Sequence, residues 1–394
     1  MTVRTALAPL LDELERALPA AVDLRRRLHA RPCPSGEETE TRDTVLAALP
    51  ARREVTPAAG TGAVVRVGGA GPAVGVRGEM DALAVTERTG VPWASERPGV
   101  MHACGHDVHL AAVTALAHAV DRVGGPAPML VILQPREETY PSGARDMAED
   151  GVLRREQCRA VIGAHVQPLL PAGTVACTPG AVNASSDEFT ITVRGEGGHA
   201  AYPHRTRDPV VALAHVVVSL QSVVSRGTDP MSPLVLSVTT LAAGTAANVV
   251  PGVATARGTL RAMHTGDRER VQSRMTETAD LVARAQGCEA EVEFVRGEPV
   301  LDNDAGLSAA TAPLLDEFGF KVSQDLRSAG SDDFSYFSER MPSLMQFVGT
   351  HGGTEQLHSP TFLPSDERVG DVARALLAGY LAAAGCLTVP PAPA

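Results

Sequence analysis

The sequence is poor in lysine and in paired cysteines, and each shortage narrows what the protein can do. Lysine occurs once, as Lys321, among 35 basic residues, which leaves one candidate for Schiff-base chemistry. The 46 acidic residues outnumber the basic ones, and the net charge of −11 argues against nucleic acid or an anionic membrane as a partner. No run of about 18 apolar residues is present to span a bilayer. The six cysteines form no CxxC pair, which suits a reducing compartment, and we therefore predict a cytoplasmic protein.

Two common catalytic motifs are also missing. The glycine-rich stretch 195–198 lacks the full dinucleotide-binding spacing and the Lys-Ser/Thr pair of a phosphate-binding loop, and a tight turn that presents His199 is the better interpretation. No serine lies in a G-x-S-x-G elbow, so serine hydrolase chemistry is poorly supported.

With 394 residues, the chain exceeds the size of one hydrophobic core, and two domains are expected. Its first part begins with mostly helical sequence and then alternates short apolar runs with helical patterns, which predicts a mostly parallel sheet covered by helices. The predicted elements are strands at Ala63–Val67, Ala73–Arg77, Met129–Leu133, Ala160–Ala164 and Leu344–Val348 and helices at Leu110–Val123 and Ala144–Leu153.

The pattern changes near Asp187 to the order β-α-β-β-α-β, which is typical of a ferredoxin-like α+β unit. Because sheet-like sequence resumes afterwards, we predict that this unit is inserted into the first domain. The predicted boundaries are 1–182 and 295–387 for the discontinuous first domain, 183–294 for the insert, and 388–394 for a disordered Pro/Ala-rich tail.

The stretch 101–109 contains three histidines, one cysteine and one aspartate. Thiolate, neutral imidazole and carboxylate are the groups that bind divalent transition metals. Taken alone, the stretch fits a polar loop with incidental histidines as well as it fits a metal site. Cys104 and His106 face the same way only if the backbone between them is extended or looped.

Further candidate groups follow other apolar runs of strand length, where the active-site groups of open α/β sheets lie. Glu137 and Glu138 follow one run, His165 ends the next, and His358 lies in a Gly/Thr/Ser/Pro-rich loop. Singly, these residues also fit a solvated acidic turn, a hydrogen-bonded core histidine and an incidental loop histidine. Jointly, they supply enough groups for two metals, and a carboxylate left uncoordinated would take a proton from water.

Ordered motifs along nearly the whole chain resemble the M20 metallopeptidase family, in its amidohydrolase branch of hippurate hydrolases, N-acyl-amino-acid amidohydrolases and plant auxin-conjugate hydrolases. The matching segments include 24–29, 79–83, 102–107, 134–138, 198–201, 248–251, 258–261, 331–334 and 357–360.

The resemblance implies an α/β fold with a zinc-peptidase-like catalytic domain and an inserted ferredoxin-like α+β lid and dimerisation domain. It also implies a centre with two divalent metal ions per subunit, zinc or manganese, with cobalt or nickel possible. The ligands carried over are Cys104, which would bridge, with His106, Glu138, His165 and His358.

The family's remaining roles are carried over to five residues. Glu137 matches the general base, and Asp81 matches an acid that orients a ligand histidine. His199 matches an oxyanion-stabilising residue that acts in the partner subunit's site, and Asn248 and Arg261 match residues that hold the substrate carboxylate.

We therefore predict a homodimeric hydrolase of N-acyl amino acids that uses neither nucleic acid nor membrane as a partner. A dipeptidase or carboxypeptidase of the same family is the alternative, followed by a non-catalytic metal-binding paralogue. Three departures from the branch pattern, Glu79, Ala84 and Cys33, remove neither a ligand nor the base.

Overall fold

The computed structural model describes residues 3–51, 54–350 and 356–387. The tail predicted to be disordered, 388–394, lies outside the described residues. The chain divides into two compact units. Unit 1 comprises Met1–Gly180, Asp302–Leu326 and Asp333–Ala394, and unit 2 comprises Ala181–Leu301 and Arg327–Asp332.

The helices follow from amphipathic and apolar stretches of sequence. Within the described residues, the α-helices are α1 (Val3–Ala30), α2 (Thr39–Ala48), α3 (His106–Val123), α4 (Gly143–Glu149), α5 (Val152–Arg155), α6 (Pro209–Ser225), α7 (Thr265–Ala285), α8 (Ala305–Glu317), α9 (Ser335–Ser338) and α10 (Glu367–Leu387).

The strands are rich in valine, alanine and leucine, and most are short. They are β1 (Glu54–Ala58), β2 (Gly62–Val67), β3 (Ala73–Glu79), β4 (Met129–Gln134), β5 (Cys158–Gln167), β6 (Thr174–Ala176), β7 (Gly180–Asn183), β8 (Asp187–Arg194), β9 (Gly198–His199), β10 (Leu234–Ala243), β11 (Val249–Val250), β12 (Val253–Ala262), β13 (Glu289–Arg296), β14 (Leu301–Asn303), β15 (Lys321–Ser323) and β16 (Ser343–Gly349).

Unit 1 is built on an eight-stranded sheet in the order β1-β2-β4-β3-β5-β16-β6-β15. Its central strands β4, β3, β5 and β16 run parallel to one another, as predicted, whereas β1 and β2 are antiparallel additions at one edge. The strands β3, β4 and β16 are buried along their whole length, which is typical of parallel strands covered on both faces.

Helix α10 is long and apolar enough, by length and composition alone, to cross a membrane, with a mean hydropathy of 1.3 in its most apolar window. However, 78% of that window is buried, and α10 packs against α1, α3, α8, β5 and β16. It is therefore a core helix of unit 1.

Unit 2 contains a four-stranded antiparallel sheet in the order β10-β12-β8-β13, packed against α6 and α7. Its element order, β8-α6-β10-β12-α7-β13, is the predicted ferredoxin-like arrangement. The apolar side chains that alternate along β8 and β12 meet one face of each helix in a separate core.

The boundaries of unit 2 differ from the predicted insert, 183–294. Its chain continues past β13 because Gly297 N donates to Ser186 O and Ser186 N donates to Glu298 O. The segment Arg327–Asp332 belongs to it as well, since Ser328 N donates to Val182 O. Hydrogen bonds between residues this far apart in sequence leave no periodic signal.

The prediction of one helix over Ala144–Leu153 was wrong. The structure has two short helices, α4 and α5, separated at Gly151, which adopts a φ of 75°. This left-handed conformation ends one helix and starts the next.

Candidate metal centre

Parallel strands bring several candidate site residues, with Glu79 beside them, to one edge of the unit 1 sheet. Glu79 ends β3 and Asp81 follows it, while Glu137 and Glu138 follow β4. His165 lies near the end of β5. Because β3 pairs in parallel with both β4 and β5, the carboxyl ends of these strands meet at the same edge.

A tight turn before α3 supplies Cys104 and His106. Gly105, between them, has a φ of 85°, and a Cβ placed on it would lie 2.6 Å from Val166 Cγ2. Glycine is therefore required both by the backbone conformation and by the contact with β5. This turn is the looped connection that Cys104 and His106 need in order to contribute to one site.

The five predicted ligands lie together in unit 1. Cys104 Sγ is 3.4 Å from His165 Nε2, and His106 Nε2 is 3.9 Å from Glu138 Oε1. His358 Nε2 is 3.5 Å from the same Glu138 oxygen. The side chain of His358 is 51% exposed, whereas Cys104, His106 and His165 are buried, so the site is open to solvent on one side.

The backbone helps to place His358. Its N–H donates to Ala103 O at 2.9 Å, which fixes the loop beside the turn that carries Cys104. Its φ of 65° is unusual for a residue other than glycine, and such conformations occur where surrounding structure or function demands them.

Glu137 adjoins this cluster. Its Oε2 lies 3.8 Å from His106 Nε2, and the ligand atoms of His106, Glu137 and Glu138 all lie within 4.8 Å of one another. A carboxylate in this position is close enough to serve a water held at the cluster.

The unused hydrogen-bonding atoms of the cluster fit a metal site. His106 Nδ1 donates to Asp81 O at 2.9 Å, and His165 Nδ1 donates to Val166 O at 2.7 Å. Each ring therefore directs its Nε2 atom to the cluster. Within the described part of the chain, His106 Nε2 and Glu138 Oε1 are buried without a hydrogen-bond partner, which is a costly arrangement unless a cation binds there.

The electrostatics of the site also favour a cation. Burial, together with the negative charges of Glu138 and Glu137, raises the pKa of the Cys104 thiol well above its usual value. Burial lowers the pKa of His165 well below its usual value, so its imidazole is neutral. Burial opposes the charged form of His106, but Asp81, Glu79 and Glu138 outweigh it and raise its pKa to about 10. A divalent cation would take the place of that proton and offset the carboxylates.

Asp81 contacts two of the candidate ligands, and its orienting role stays a prediction. It is fully buried, and its Oδ2 accepts hydrogen bonds from Ser35 Oγ at 2.7 Å and from Glu138 N at 2.9 Å. Burial opposes ionisation, but contacts with His106 and Ser35 lower the pKa of Asp81, which keeps it a carboxylate. Asp81 thus connects the candidate ligand His106 to the backbone of the candidate ligand Glu138.

Sequence reasoning gave no role to His109 or Glu79, although both lie beside the cluster. His109 Nδ1 donates to Glu79 Oε2 at 3.1 Å, and the His109 ring centroid lies 4.5 Å from that of His165. The available signal was the position of His109 three residues after His106, which puts both on one face of α3.

In unit 2, the structure brings together two of the three predicted lid residues. His199 lies on β9, which pairs with β11, and Ala200 N donates to Asn248 O at 3.0 Å, so His199 and Asn248 lie on neighbouring segments. Both are exposed. Arg261 lies on β12, where its Nη1 donates to Ser331 Oγ at 3.0 Å.

Known proteins match this chain over most of its length. Residues 75–378 match the profile of peptidase family M20/M25/M40. An N-acetylcysteine deacetylase of Bacillus subtilis is 34% identical over 88% of this chain and 92% of its own. An N-acetyldiaminopimelate deacetylase of Exiguobacterium sibiricum is 32% identical, and the match covers 89% of this chain and 95% of that protein.

One similar crystal structure is that of a Bacillus subtilis protein described as a dinuclear metal-binding peptidase from the M20 family. It superimposes with a TM-score of 0.83 at 29% identity, and the match covers 95% of this chain and all of the other.

Proposed function

Because the chain belongs to peptidase family M20/M25/M40, we propose that it is a metal-dependent amidohydrolase that cleaves N-acyl amino acids to a carboxylic acid and a free amino acid. The observation that carries the proposal is the cluster of one thiol, one carboxylate and three imidazoles beside the further carboxylate Glu137. The names of two relatives, which specify N-acetylcysteine and N-acetyldiaminopimelate, support an acyl group on an amino nitrogen as the substrate feature.

Two divalent ions would be held by Cys104, His106, Glu138, His165 and His358. Thiolate and imidazole together favour zinc, while manganese, cobalt or nickel fit the same mixed set according to supply. When bound, such cations supply Lewis-acid polarisation of the amide carbonyl and a lowered pKa for the attacking water.

Glu137 performs the proton transfers of the proposed reaction. Its carboxylate takes a proton from the attacking water and returns it to the leaving nitrogen, so that the amine departs neutral. Asp81 keeps the His106 ring and the Glu138 backbone in place through the contacts described above.

The exposed His199 is suited to stabilise the oxyanion that forms at the carbonyl, and we place it in the partner subunit's site. Asn248 lies beside it and would bind the substrate carboxylate together with Arg261. A guanidinium offers two parallel donors to a carboxylate and stays charged at any working pH. The Ser331 contact holds the Arg261 side chain at β12.

A homodimer formed through unit 2 is supported by an apolar surface on α6 and β10. Val211 and Val218 lie seven residues apart on α6 and are 46% and 71% exposed, and Leu241 on β10 is 63% exposed. Among the described strands, β10 pairs only with β12, so its outer edge has backbone groups available for a second copy.

A cytoplasmic location is supported by six free cysteines.

A panel of substrates tests the proposal. N-acetyl, N-benzoyl and indole-acyl amino acids are offered to protein stripped of metal and reloaded with zinc, manganese, cobalt or nickel, and release of the free amino acid is measured. We expect metal-dependent release from at least one acyl class. Cleavage of dipeptides alone would favour the peptidase alternative, and no hydrolysis with any metal would refute the amidohydrolase proposal.

A further inference from the structure

A buried polar network lies behind the candidate metal centre, entirely within unit 1. Arg77, which is 1% exposed, donates from Nε to Gln134 Oε1 at 2.7 Å and from Nη2 to Asp333 Oδ1 at 2.8 Å. Its Nη1 donates to Glu79 Oε1. Asp333 also accepts from Ser142 Oγ at 2.7 Å. This network fixes the Glu79 carboxylate from one side.

The backbone N–H of Val166 and the other oxygen of Glu79 together determine the tautomer of His109. Val166 N can only donate, and it lies 3.0 Å from His109 Nε2, so this nitrogen must be the unprotonated acceptor. The proton is then on Nδ1, which donates to Glu79 Oε2 at 3.1 Å. Both nitrogens of His109 are engaged, and His109 therefore has no lone pair left for a metal in this arrangement.

The hydrogen bond from Val166 N to His109 helps to position the proposed ligand His165 in two ways. His165 Nδ1 donates to Val166 O at 2.7 Å, so the residue that His109 holds also orients the His165 ring. The His109 ring lies against that of His165, with centroids 4.5 Å apart and planes at 57°. The His165 Nε2 atom is thereby fixed 3.4 Å from Cys104 Sγ.

We propose that the Glu79–His109 pair is a positioning device for His165, with Arg77 and Asp333 holding Glu79 in place. The inference rests on the proposed function, because it requires His165 to bind metal. A buried polar network that only stabilises the fold would have the same hydrogen bonds but no selective effect on metal affinity. Partners that orient a metal ligand typically contribute about 10–100-fold in metal affinity.

The test compares two replacements of His109. Gln retains a carbonyl oxygen that reaches the position of Nε2 and accepts from Val166 N, whereas Leu fills similar space without an acceptor. Thr114→Val on the same helix is the matched control, because Thr114 is buried and donates to Leu110 O at 2.8 Å, away from Val166.

Metal affinity is measured without reference to turnover. Each apoprotein is titrated with Zn²⁺ against a chromophoric chelator and with Co²⁺ while the thiolate-to-cobalt absorption of Cys104 is followed. We expect His109→Leu to weaken one of two binding events by about 10–100-fold, His109→Gln to recover most of that loss, and Thr114→Val to match the parent protein.

Equal affinities for His109→Leu and the parent protein would overturn the inference, as would equal losses for Leu and Gln. Thermal unfolding of the apoproteins checks that each variant folds. If His109→Leu does not fold, Glu79→Gln carries the test, because removing its charge weakens selection of the Nδ1 proton. We expect weaker metal binding there too, and parent affinity would count against the inference.

His165→Ala separates this inference from the proposed function. Loss of one metal in His165→Ala, with parent affinity in both His109→Leu and Glu79→Gln, would reject the positioning role alone. Two metals bound at parent affinity in His165→Ala would instead reject the proposed ligand set.

Discussion

Replacement of Glu137 by Gln separates the chemistry of the candidate centre from its metal binding. Gln occupies the same volume, and none of the five proposed ligands is altered. Glu137 Oε2 lies 3.8 Å from His106 Nε2, so an amide at this position leaves the ligand in place but removes the group that accepts a proton.

The expected loss in kcat follows from the two proton transfers assigned to Glu137. Removal of a general base typically costs on the order of 10²–10⁴ in rate, or about 2.7–5.4 kcal/mol in activation free energy. The upper part of this range applies here, because the same group receives the proton and then returns it to the leaving nitrogen.

The assay pairs elemental analysis with steady-state kinetics on an N-acyl amino acid. Glu138→Gln is the matched control, since it changes the adjacent carboxylate in the same way but weakens a proposed ligand. We expect Glu137→Gln to retain both metals and lose turnover, and Glu138→Gln to lose metal. Turnover within about tenfold of the parent in a fully loaded Glu137→Gln protein would refute the reasoning.

Three further predictions concern a ligand, the subunit arrangement and substrate recognition. Cys104→Ala should lower metal content and activity together. Cys158→Ser should retain metal, because it alters a buried thiol at the start of β5, at the end of the strand away from His165. Full metal occupancy after Cys104→Ala would contradict the ligand role. Mixing inactive His199→Ala with inactive Glu137→Gln under subunit exchange should restore activity in hybrid dimers, and no recovery despite demonstrated exchange would remove His199 from the partner's site. Arg261→Ala should weaken kcat/KM on an N-acyl amino acid by about 2–5 kcal/mol and affect the corresponding neutral amide much less. Equal losses on both substrates would reject carboxylate recognition by Arg261.

The sequence was most informative where a local pattern and a motif coincided. Strand positions such as β4 and β5 were predicted to within a few residues, because buried parallel strands are short apolar runs bounded by turns. The candidate ligands came from the motifs shared with the family, and the structure brings those five residues together, while their metal binding stays a prediction. By contrast, Gly151 divided a region predicted as one helix, because a single left-handed residue outweighed its apolar spacing.

The amino-acid sequence by itself determined the order of elements, the presence of an inserted α+β unit and the chemical types of the candidate ligands. These features depend on local backbone preference and on which side chains are present. Only the tertiary structure decided the charge and tautomer of each group, because both depend on partners that are distant in sequence. Arg77 and Asp333 are 256 residues apart, yet their buried contact holds the guanidinium that binds Glu79, the acceptor of the His109 Nδ1 proton. Burial makes such contacts decisive, since a charged or polar group removed from water must find its partner within the fold.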